Sequence, residues 1–114
     1  MKIIQATARL EINEDKLEEF QRIAADCLSI AREKDENILQ YDWFFDPDKK
    51  VCVVRECHAN SEAALAHLGN LGNRLQKLME VADFSLEIFG EPSKQLRETT
   101  ADLDPEIYSF YQGL

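Results

Sequence analysis

Between Tyr41 and Asn70 the chain reads YDWFFDPDKKVCVVRECHANSEAALAHLGN, a stretch that strings together an aromatic strand, a proline turn, a second strand and a capped helix. Proline sets φ at about −65° and removes a backbone donor, so Asp46-Pro47-Asp48-Lys49 cannot continue a strand. The flanking aspartates bond local amides, and the prediction is a hairpin joining Ile38–Phe45 to Val51–His58. Asn60-Ser61-Glu62 then opens a helix, with Ser61 as its cap. Its leucines at 65, 68, 71, 75 and 78 recur every three or four residues, while Gly69 and Gly72 break or bend it midway.

The segments on either side extend this pattern. Ile4, Ala6, Ala8, Leu10 and Ile12 alternate with polar residues, the period of a strand covered on one face. Asn13 is placed to cap a first helix, and Leu17, Phe20, Ala24, Cys27, Leu28 and Ala31 trace a helical stripe that ends near Glu33 or Lys34. Phe84, Leu86 and Ile88 alternate with Ser85, Glu87 and Phe89 in a fourth strand, which Gly90-Glu91-Pro92 terminates. The order βαββαβ predicts an α+β, ferredoxin-like domain over residues 1–92 with an antiparallel four-stranded sheet. Residues 93–114 form a tail in which Asp104-Pro105 reads as cap and first residue of a short helix. Ile107, Phe110, Tyr111 and Leu114 give that helix an apolar face, which predicts docking on its own or a partner subunit.

In the aromatic strand, Ile38 and Phe44 fall on one face and Leu39, Tyr41, Trp43 and Phe45 on the other, so both faces ask for cover. Two helices cover only one sheet face. The economical cover for the second is the same face of an identical chain, which predicts a homodimer. A single domain of 114 residues buries only part of its surface alone, which favours the same outcome.

Thirteen Lys and Arg against 22 Asp and Glu leave a formal charge of −9, which repels phosphate backbones and anionic membranes. The N-terminus turns polar too early for a secretory segment and no run is long enough to span a bilayer, so a cytoplasmic protein is expected. Cys27, Cys52 and Cys57 lie in apolar segments without C-x-x-C spacing, as reduced packing thiols do. Two histidines and scattered thiols form no ligand set, so no metal is expected. Phosphate-cradling glycine loops, dinucleotide fingerprints and G-x-S-x-G elbows are all missing from the sequence.

The aromatic strand, the D-P-D turn, the strand bearing Arg55-Glu56 and the segment S-E-A-A-L-A-H-L together resemble the antibiotic biosynthesis monooxygenase-like family of dimeric α/β-barrel proteins. The resemblance runs more loosely from Met1 to Pro92. It implies a homodimer with a small-molecule cavity in each subunit, between sheet and helices. It also implies oxidation of quinols or polyketide-like phenols by dioxygen without flavin or metal, the substrate supplying the electrons.

Such a site must deprotonate or orient a phenol, exclude water and stabilise an anion. His67 is the candidate acid/base or anchor, its titration range suiting proton transfer. Its bland alternative is a partly exposed histidine on a helix flank. Trp43 is a candidate aromatic wall, although an aromatic in an apolar strand is commonly core. Glu56 lies within an apolar strand and must face water or find a partner, whether structural or substrate. His58 shares its strand face, and Tyr41 and Thr7 offer hydroxyls to a ligand, though each also suits ordinary strand packing. Two other readings accompany this one. A noncatalytic barrel would hold a metabolite and break no bond. A heme-degrading relative is disfavoured, because Thr7 and His67 stand where that pattern has Asn and Trp and no histidine follows His67.

Overall fold

A computed structural model describes residues 2–114. Strands β1 (Ile4–Ile12), β2 (Ile38–Phe45), β3 (Val51–His58) and β4 (Ala82–Phe89) alternate with helices α1 (Leu17–Lys34), α2 (Ser61–Leu71) and α3 (Arg74–Val81). A further helix α4 (Lys94–Thr100), a 3-10 turn at Ala101–Leu103 and a strand β5 (Glu106–Tyr108) complete the chain. The sheet order is β2-β3-β1-β4-β5, in which the first four strands pair antiparallel as in a ferredoxin-like domain. The expected four-stranded antiparallel sheet is corrected at its edge, where β5 pairs parallel to β4 and makes the sheet five-stranded and mixed.

Period two settles which residues face the helices. Ile4, Ala6, Ala8 and Leu10 of β1 are buried, as are Cys52, Val54 and His58 of β3, because helices cover that face. Between them Phe20, Ala24, Cys27 and Ala31 form the buried stripe of α1. Phe20 is fully enclosed and meets the rings of Trp43 and Phe45 at 6.2 and 6.1 Å. The start of α1 differs from the expected Asn13 cap: Lys16 is the N-cap, and the Asn13 carbonyl accepts from the Lys16 N–H.

The β2 faces also need correction. A bulge between Ile38 and Gln40 shifts the register, after which Tyr41 lies opposite Glu56 and Trp43 opposite Val54. Tyr41 and Trp43 therefore turn toward the helices and pack against the main core. The open face carries Phe44, Val53 and Phe89 beside Thr7, Arg9, Asp42 and Arg55, a mixed surface. At the hairpin turn the Asp46 carboxylate accepts from the Lys50 and Val51 N–H groups at 2.8 and 2.9 Å.

Asn60, not Ser61, caps α2, its side chain accepting from the Ala63 N–H at 2.8 Å. Gly72, with φ of 56°, ends α2 and separates it from α3, while Gly69 stays inside the helix. The tail is rearranged relative to expectation. Ser93 caps α4 by accepting from the Leu96 N–H at 3.1 Å, whereas Asp104 adopts a left-handed conformation that stops helix formation where one was expected to begin. Leu96 packs with Ile4, Ala64 and Ile88, so α4 lies on the body of its own chain.

Candidate functional site

Strand alternation and helix stripes deliver the site residues to one place. Cys52, Val54, Glu56 and His58 share the inward face of β3, and Tyr41 and Trp43 stand beside them on β2. Above the sheet, the buried stripe of α2 is Ser61, Ala64, His67 and Leu71. The small Ser61 and Ala64 let the helix sit close to the sheet, so His67 points into the interior and is 2% exposed. It is thus enclosed rather than placed at a helix flank, and Leu65 and Leu68 take the margins of the contact.

The resulting cavity is narrow, with a volume of about 70 Å³. Ile4, Leu10, Leu71, Leu78 and Ile88 give it aliphatic walls, and Leu96, Thr100 and Leu103 bring the tail onto it. Its polar lining is Glu56, His58, His67 and the Tyr41 and Trp43 rings, with the Thr100 hydroxyl occupied in donating to the Leu96 carbonyl at 2.9 Å. An apolar chamber with a few convergent polar groups is the usual form of a small-molecule site.

Two carboxylate–imidazole pairs organise the polar end. His67 Nδ1 lies 2.6 Å from Asp35 Oδ2, and Asn70, one turn further along α2, donates to Asp35 Oδ1 at 2.7 Å. His58 Nε2 lies 2.9 Å from Glu56 Oε1, the same oxygen that stands 3.6 Å from His67 Nε2. An ionised carboxylate only accepts, so a neutral His67 carries its proton on Nδ1 and a neutral His58 on Nε2. His67 Nε2 and His58 Nδ1 are buried without a hydrogen-bond partner, the Glu56 carboxylate standing 3.6 Å from His67 Nε2. Trp43 Nε1 is likewise buried and unpaired, with the Tyr41 ring edge-on at 5.8 Å. Tyr41 packs edge-on against His67 at 4.7 Å, and burial pushes its hydroxyl well above the usual phenol range, so it remains protonated.

Of the residues expected to form a site, His67, Glu56, His58, Tyr41 and Trp43 meet in this cavity. Thr7 does not: it pairs with Arg55 and Glu87 on the opposite sheet face. Sequence reading misses Asp35 and Asn70. Asp35 sits in a polar break after the first helix, and the only available hint is that His67 and Asn70 share one helical face. Among the described residues, no three His, Cys, Asp or Glu side chains converge to hold a metal ion, and no helix is long and apolar enough to cross a membrane.

No protein-family model matches the sequence and no curated protein does so. Solved structures do match. MupZ from Pseudomonas fluorescens superposes with a TM-score of 0.85 over 100% of this chain and 94% of its own, at 22% identity. A Caulobacter crescentus protein provisionally named an antibiotic biosynthesis monooxygenase gives 0.69 over 76% of this chain and 87% of its own, at 18% identity. SnoaB, a cofactor-independent oxygenase from Streptomyces nogalater, gives 0.68 over 82% of this chain and 97% of its own, at 10% identity. At these identities the likeness is one of fold, and at that level the resemblance read from the segment Tyr41–Leu68 is met.

Proposed function

We propose that this chain, which has the fold of antibiotic biosynthesis monooxygenase-like proteins, oxidises a quinol or phenolic small molecule with dioxygen and needs no bound cofactor. The observation that carries the reading is the buried Asp35–His67 pair, which turns an unpaired Nε2 toward a cavity whose walls are mostly aliphatic. An imidazole held in one tautomer by a carboxylate is a general base. His67 Nε2 takes the phenol proton, and the phenolate becomes electron-rich enough to react with dioxygen. One oxygen atom enters an unsubstituted ring carbon, as a carbonyl para to the hydroxyl of a phenol or as a hydroxyl ortho to one in a quinol, and the other leaves as water. The phenol supplies all four electrons and ends as a quinone. Trp43 and Tyr41 shape the wall, and the aliphatic lining excludes water from the anion.

The functional unit in this reading is a homodimer closed over the open sheet face, with Phe44 and Val53 at its apolar centre. The three unpaired thiols suit a reducing compartment such as the cytoplasm. The test is oxygen uptake across a panel of alkylated phenols and quinols. A substrate should be consumed with water formation, and His67→Ala should lower the rate by at least about 10²-fold. Unchanged turnover in that variant removes His67 from the mechanism, and tight retention without any uptake shows a binding protein instead.

A further inference from the structure

The second histidine of the cavity has no role in the reaction above. His58 is 2% exposed, and its Nε2–H is committed to Glu56 at 2.9 Å. Its Nδ1 is therefore a lone pair without a donor, in the same condition as His67 Nε2. The two rings stand 5.2 Å apart between centroids and both line the cavity. The aliphatic wall has no donor, the Thr100 hydroxyl is already spent on the Leu96 carbonyl, and neither the Trp43 Nε1–H nor the Tyr41 hydroxyl, which also line the cavity, bonds to either imidazole. Leaving buried acceptors unsatisfied is unfavourable, so a ligand that fills the cavity has to bring the missing protons.

We infer that the cavity selects a ligand bearing two hydroxyl donors, one received by His67 Nε2 and the other by His58 Nδ1, in preference to its ether or quinone form. The inference rests on the same cavity as the proposed oxidation but concerns recognition alone. It joins His58 and Glu56 in one role, since Glu56 fixes the His58 tautomer as Asp35 fixes that of His67.

Anaerobic calorimetric titration with alkylated catechol, resorcinol and hydroquinone, each beside its mono- and dimethyl ethers, tests this without turnover. The diol whose spacing fits should bind about tenfold or more tighter than its monomethyl ether, with a further loss of similar size for the dimethyl ether. For catechol and hydroquinone, the quinone should bind no better than the dimethyl ether. In His58→Phe the diol and monomethyl ether should become equal within about twofold. Dimethyl ethers that bind the native chain as tightly as the diols overturn the inference while leaving the oxidation reading in place. Failure of every aromatic to bind overturns both. The ligand series is run on the native chain, so it decides between these outcomes whether or not His58→Phe folds.

Discussion

His67 Nδ1 sits 2.6 Å from an oxygen of Asp35, a contact between residues 32 positions apart that joins the end of α1 to the middle of α2. Asn70 holds the other Asp35 oxygen, so the carboxylate is fixed at both ends. Asp35 does not itself line the cavity, which makes it a positioning residue acting through the imidazole.

In Asp35→Asn the amide oxygen can keep the Asn70 contact, leaving the NH₂ group facing His67. A donor there forces Nδ1 to accept and moves the imidazole proton to Nε2, which can no longer take a proton from substrate. The expected outcome is a loss of about 10²–10⁴ in kcat with little change in melting temperature. Oxygen uptake and circular dichroism check the two halves of this expectation. A fall in stability with unchanged turnover would show that Asp35 is only structural.

Phe20 is fully enclosed beneath Trp43 and Phe45, so truncation leaves a void that two flanking aromatics cannot close without leaving their strand positions. Phe20→Ala should destabilise the fold by about 3–5 kcal/mol in denaturant unfolding. A shift below about 1 kcal/mol would mean that the aromatic cluster collapses into the gap.

Burial pushes the Cys27 and Cys52 thiols from 9.0 up to about 11. The folded chain therefore holds these protons more tightly than the unfolded chain does. Their contribution is fully present below pH 9 and is lost as the pH rises toward 11, so stability should fall through that window. Cys52→Ala should flatten the fall while lowering stability at neutral pH. Alkylation of the native chain at about pH 8 should label Cys57, the partly exposed thiol, ahead of the other two, as peptide mass mapping would read directly.

Much of the fold is legible because its signals are local. β1 and β4 announce themselves by strict alternation, and the hairpin by Asp46-Pro47, whose carboxylate closes the turn onto Lys50 and Val51. The features that sequence misleads on depend on non-local pairing. The bulge after Ile38 shows only in the pairing with β3, where Tyr41 and Trp43 come to stand beside Glu56 and Val54 on the helix side. In the tail, Ser93 followed by Leu96 is a readable cap, but Asp104-Pro105 imitates one, and β5 exists only because β4 has an edge to offer. Period two is enough to place Glu56 and His58 together. Asp35 is invisible, because no periodicity connects the end of one helix with the interior of another.

The same edge makes the last prediction. Gly90 follows β4 with φ of +123°, and a Cβ built there would lie 2.8 Å from the Ile3 carbonyl oxygen. Its N–H donates to the Tyr108 carbonyl at 2.9 Å, directly after the Phe89–Tyr108 pair that joins β4 to β5. A side chain at this position meets backbone rather than a flexible tip, and the conformation itself is one that only glycine adopts freely. Gly90→Ala must therefore either push β1 away from the end of β4 or rotate the peptide and give up the Tyr108 bond. The expected cost is about 1–3 kcal/mol, and the second route also frees the last strand. Hydrogen exchange separates the two routes. Faster exchange confined to residues 106–108 identifies release of β5, whereas faster exchange along β1 identifies strain carried into the sheet centre. An alanine variant as stable as the native chain, with neither change, would show that the turn adapts and that β5 does not depend on Gly90.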